Sequence, residues 1–179
     1  MKRKILLLIE LFFIVLSTHS QTIMEGEFPW LKGQTRVQLI IDWSQLSIAN
    51  MSVDEWIRCR QDEQPEWNAQ NEWESELKPQ IGSNIIEQVN RKWEKYNALL
   101  TSKPNKAAIY ALVVIPQNIS RKGDNRNDCL LKEIATDKIL VKFTVNSRGG
   151  VFGSMSNLWG DGYKNTGKKI ATLLTRQFR

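Results

Sequence analysis

Any catalysis by this chain would rest on carboxylates, hydroxyls and two thiols, because its single histidine, His19, lies in a segment built for removal. Lys2, Arg3 and Lys4 precede an apolar run from Ile5 to Leu16 that only Glu10 interrupts, and Ser17-Thr18-His19-Ser20 follows. A basic start, a short apolar stretch and small polar residues make a secretory signal peptide, with cleavage expected between Ser20 and Gln21. Read instead as a membrane anchor, twelve helical residues reach roughly 18 Å, short of a hydrocarbon core of about 30 Å. No lipidation cysteine follows the apolar run. The expected product is residues 21–179, one domain, exported to the periplasm or beyond, with no integral anchor after cleavage. With His19 gone, Ser-His-Asp and Cys-His nucleophile systems and histidine zinc sites are excluded. No cofactor is expected.

The remaining acid–base candidates are Glu66, Glu72, Glu74 and Glu76, interleaved with Trp67 and Trp73. Glycoside hydrolysis uses two carboxyl groups, and sugars stack on aromatic rings. The simpler reading is a solvated acidic helix face. Asp124-Asn-Arg-Asn-Asp128 resembles a calcium loop only faintly, since Arg126 stands where an oxygen ligand is needed and Cys129 replaces the glycine. Gly149, Gly150, Gly153, Gly160 and Gly162 match no phosphate-binding spacing. They are expected to allow a tight bend and close packing of the last helix onto the sheet, with Asp161 as a turn or N-cap residue. Cys59 and Cys129 are too far apart for a Cys-x-x-Cys pair. A bridge between them would close a loop of 70 residues, worth about 4 kcal/mol in the chain-entropy model; a buried free thiol is the alternative.

Tryptophan is the compositional oddity. Six of the seven, at 30, 43, 56, 67, 73 and 93, precede residue 94. Packing of helices on a sheet is the expected use, with Trp67 and Trp73 as the candidate pair for stacking on a glycan. Charge is polarised as well: Asp54 to Glu76 carries a net −6 and Arg91 to Arg179 a net +11. A polyanion partner would suit the second half, lipopolysaccharide or anionic lipid rather than nucleic acid. Complementary or solvated faces explain the same pattern.

The elements that must position these residues follow from pattern. Arg36–Trp43 predicts a strand covered on both faces. Ser52 and Glu55 have capping-box spacing, which predicts a helix from Val53 to about Asp62. A second helix is expected over 66–77, stopped by Pro79 and Gly82. Ser83 then caps a third, whose apolar face comprises Ile85, Ile86, Val89, Trp93, Tyr96 and Leu100. Strands are expected at 107–115, ended by Pro116, and at 130–135 and 139–145, after a polar loop over 120–128. A basic amphipathic helix closes the chain, with Tyr163, Thr166, Ile170, Leu173, Leu174 and Phe178 on one face. Its packing on the sheet is favoured over membrane contact. The fold class is α/β or α+β, a single mixed sheet of about four strands covered by helices.

V-Q-L-I-I-D-W-S near the start, a tryptophan-rich helical middle, A-I-Y-A-L-V-V, and the closing G-G-V-F-G-S-M-S-N-L-W-G-D-G-Y-K-N-T-G-K-K-I-A carry a resemblance. Together they resemble a family of small exported Bacteroidetes envelope proteins. The architecture is similar to the α/β domains of envelope lipoproteins and of the TolB N-terminal module. The resemblance implies no activity. The expected function is therefore a non-enzymatic envelope interaction or scaffold module with an envelope protein or glycan as partner. A glycan-binding module and a carboxylate-based hydrolase are the alternatives.

Overall fold

The computed structural model describes residues 21–26, 31 and 33–176. The signal segment, Ser20 of the expected cleavage junction, Trp30 and Phe178 lie outside them. Gln21 opens the first strand.

The class is mixed α/β with a single sheet, but among the described residues that sheet has eight strands rather than about four. They are β1 (Gln21–Gly26), β2 (Arg36–Ile41), β3 (Ser47–Ile48), β4 (Met51–Ser52), β5 (Leu99–Thr101), β6 (Tyr110–Ile119), β7 (Asn125–Glu133) and β8 (Ile139–Ser147). The main order is β1-β8-β7-β6-β2-β5, with β3 extending the line of β2 along β6. Neighbours from β1 to β6 are antiparallel, whereas β6, β2 and β5 run parallel. The helices are α1 (Val53–Glu63), the single turn α2 (Ala69–Asn71), a π-helical stretch Glu72–Leu77, α3 (Lys78–Trp93) and α4 (Met155–Thr175). No helix among the described residues is long and apolar enough to cross a membrane.

Alternation places Val37 and Leu39, Leu112 and Val114, Cys129 and Leu131, and Val141, Phe143 and Val145 on the helix-covered face of the sheet. They join Ile81, Ile85, Val89 and Trp93 of α3 and Trp159, Tyr163, Ile170 and Leu174 of α4 in one core. The expectation that β2 is covered on both faces fails, since Ile40, pointing the other way, is 41% exposed.

Several boundaries also differ from expectation. The capping box is present, with Ser52 N–H donating to Glu55 Oε2 (2.9 Å) and Glu55 N–H to Ser52 Oγ (3.3 Å). Pro79 and Gly82, however, do not stop a helix. The π stretch closes Lys78 N–H onto Trp73 O, five residues back, just before the proline that has no N–H to give. Ser83 is therefore interior to α3 rather than a cap. Leu100 lies in β5, not on α3, because Asn97 adopts a left-handed conformation (φ 54°) and ends the helical run. Pro116 does not end β6. It falls between the β2 and β3 pairings, beside a register shift where no ladder N–H is required. The stretch 120–128 is not all loop, since β7 begins at Asn125. The last helix begins at Met155, with Ser154 as N-cap, so Gly160, Asp161 and Gly162 are helical rather than a bend. At Gly162 a Cβ would lie 2.2 Å from Gly123 O, so only glycine lets α4 approach this closely.

Candidate functional site

The tryptophans form a chain through the core. The Trp43 and Trp73 rings meet edge to face at 5.4 Å, as do Trp73 and Trp56 at 6.4 Å, and Trp56 and Trp159 lie tilted at 39° with centroids 5.7 Å apart. The π register brings residues five apart towards one side, so Glu72, Trp73 and Leu77 are all buried. Trp73 is 2% exposed and has no face for a ligand, whereas Trp67, its expected stacking partner, is 46% exposed. One ring of the pair is core and the other is surface. The acidic residues are also divided. Glu72 receives two hydrogen bonds from Arg60 (3.1 and 3.3 Å), and Glu74 pairs with Lys78 (3.0 Å) while Glu66 and Glu76 lie exposed.

Of the two alternatives for Cys59 and Cys129, bridge or free thiols, the structure has both cysteines free. Cys59 is exposed on α1, while Cys129 is fully buried in β7 among sheet and helix side chains. Burial pushes the Cys129 thiol and the Tyr163 phenol well above their ordinary ranges, so both stay neutral.

A different region has the geometry of a site. Where β6 ends, β7 begins and β8 ends, a cleft of about 530 Å³ opens. Its walls include Asn50, Asn118, Ser120, Arg121, Arg126 and Asn146. Pairing explains the grouping: Asn118 of β6, Arg126 of β7 and Asn146 of β8 stand opposite one another across three antiparallel strands. Directly opposed residues sit about 5 Å apart at Cβ, so two amides flank one guanidinium. Arg126 makes no ion pair among the described residues, and Arg121 has only a 4.0 Å contact with Glu63. No hydrogen bond of the Asn50, Asn118 or Asn146 side chains is found among the described residues.

The carboxylate lining the cleft is already committed. Asp124 accepts from Gly149 N–H (2.9 Å) and from the Ser120 hydroxyl (3.3 Å), which fixes its loop. Beneath it, Asn125 donates to Gly123 O (2.9 Å) and accepts from Asn127 Nδ2 (2.7 Å). The Thr166 hydroxyl of α4 lies 2.8 Å from Asn125 Oδ1. On the opposite wall the β3–β4 hairpin turns through Ala49 and Asn50, at φ 50° and 67°. A left-handed alanine is strained, a feature that collects at functional sites. Lys169 donates to the Asn146 carbonyl beside the cleft. Partial burial, with Arg148 nearby, lowers its pKa. The arrangement offers hydrogen-bond donors and positive charge.

Sequence reasoning missed this site because its residues are polar and lie apart in the chain. The available signal was the alternation over 125–129, where Asn125, Asn127 and Cys129 are buried and Arg126 is exposed.

No protein-family model and no curated protein matches the chain. Among solved structures it is similar to the PelC dodecamer of Paraburkholderia phytofirmans, with 9% identity, a TM-score of 0.46, and coverage of 84% of this chain and 97% of that one. It is also similar to a Xanthomonas campestris DUF330 protein, with 12% identity, a TM-score of 0.39, and coverage of 89% and 96%. No residue role and no assembly is carried over from either.

Proposed function

We propose that this is an exported, non-enzymatic interaction module of the cell envelope that binds an acidic glycan in the cleft at the end of β6, β7 and β8. The observation that carries the reading is the charge balance of that cleft. Among the described residues Arg126 has no ion pair, Arg121 has only the 4.0 Å contact with Glu63, the flanking amides have no partner, and the lining carboxylate is spent. Amides and a guanidinium match sugar hydroxyls and a carboxylate or phosphate group. Export rests on the signal-peptide pattern of residues 2–20, and N-terminal sequencing of the processed protein should begin at Gln21.

Calorimetric titration with oligogalacturonate and with neutral malto-oligosaccharide tests the binding. Oligogalacturonate should bind, and Arg126→Ala should weaken it at least about tenfold, as loss of a charge-assisted contact does. Trp67→Ala should leave affinity unchanged. Failure of the wild-type protein to bind the acidic sugar contradicts the reading.

A further inference from the structure

The loop from β8 to α4 carries Val151 and Phe152, which are 81% and 88% exposed; the next most exposed large apolar residue among those described is Ile109 at 47%. A single surface apolar residue is ordinary, but two adjacent ones projecting almost wholly into water are not. The tip does not hang free. Gly149 N–H donates to Asp124 Oδ1 (2.9 Å) and Gly150 N–H to Leu158 O (3.0 Å), which holds the strand leading into it against the body. A Cβ on Gly149 would lie 1.8 Å from Lys122 O, so the tip is pinned beside the 120–123 turn. That turn brings Arg121 and Lys122, both exposed, next to Arg148 at the foot of the loop. Of the nearby carboxylates, Glu63 lies 4.0 Å from Arg121, Asp124 is engaged by Gly149 and Ser120, and Asp161 lies 3.8 Å from Lys164.

We propose that the Val151–Phe152 tip, flanked by Arg121, Lys122 and Arg148, docks this protein onto an anionic lipid bilayer. The apolar pair enters the headgroup–acyl boundary while the three cations remain at phosphate level, the division of labour that peripheral proteins use at membrane surfaces. Val151, Phe152, Lys122 and Arg148 lie outside the cleft walls and only Arg121 is shared, so variants at Val151, Phe152 and Lys122 test the tip without touching the cleft lining.

Vesicle flotation of the processed protein tests it, comparing phosphatidylglycerol-containing vesicles with pure phosphatidylcholine. The protein should partition onto the anionic vesicles only. Replacing both Val151 and Phe152 by serine should lower partitioning at least about tenfold, and Lys122→Gln about fivefold, with melting temperatures unchanged. Phe152→Trp should report insertion directly, as a blue-shifted emission on anionic vesicles. Equal binding to both vesicle types, no binding, or wild-type binding by the double serine variant overturns the proposal.

Discussion

The tryptophan chain and the polar cleft both gather side chains from distant parts of the sequence, and they use them in opposite ways. Trp43, Trp56, Trp73 and Trp159 come from just past β2, from α1, from the π stretch and from α4, and their rings close on one another until Trp73 has almost no exposed surface. Asn118, Arg126 and Asn146 come from three adjacent strands and stay exposed, while Asn125 and Thr166 beneath them are buried and mutually bonded. Wide aromatic rings satisfy one another by contact, so the side chains best suited to stack on a ligand are consumed by the fold. Amides and guanidinium groups on a strand's outer face gain little from one another and keep their donors available.

Mutation should separate the two regions most strongly at Trp73. Trp73→Ala removes the ring at the centre of the chain and should cost about 3–5 kcal/mol in urea unfolding. Arg126→Ala should change stability by no more than about 0.5 kcal/mol. A small effect at Trp73 would mean that the aromatic chain does not staple the helices to the sheet.

The boundary between the regions is sharpened by the cleft floor. Asn125→Ala leaves the hydroxyl of Thr166 and the amide of Asn127 without their shared acceptor and should destabilise by about 1–3 kcal/mol. If it is neutral, the floor is not a structural network and the cleft is not rigidly supported.

The signals legible in the sequence were local. The Ser52 capping box, Ile85, Val89 and Trp93 on α3, Tyr163, Ile170 and Leu174 on α4, and Val141, Phe143 and Val145 on β8 each follow from local pattern and appear in the structure, whereas Ile139 is exposed beyond a register shift and Thr144 is buried. What was not legible depended on tertiary context. Pro79 is tolerated because a π register precedes it, and Pro116 because two short strands meet beside it. Asn125 and Asn127 read as loop residues because the bonds that let them be buried in a strand, to Gly123 O, to one another and to Thr166 of α4, exist only once the fold is formed. The cleft was hidden for the same reason, since the alignment of Asn118, Arg126 and Asn146 exists only once three strands pair.

The smallest effect lies outside both regions and serves as a control. The backbone N–H and hydroxyl of Ser52 hold the Glu55 carboxyl below its ordinary value of 4.5. A depressed acid stabilises above its unfolded value and loses that contribution as pH falls through the folded one. The stability difference between wild type and Glu55→Gln should therefore be constant at neutral pH and vanish under acid, as followed by melting temperature. A difference that persists in acid would remove the carboxylate from the cap.

A single titration bears on both regions together. Two-dimensional ¹H–¹⁵N spectra recorded with increasing oligogalacturonate report the side-chain amides of Asn50, Asn118 and Asn146, the Arg126 Nε–H and every indole N–H. Movement of the asparagine and Arg126 signals while the indoles of Trp43, Trp56, Trp73 and Trp159 stay fixed is the expected result. Shifting indoles with stationary asparagines would place recognition on the aromatic residues and contradict the assignment of the cleft.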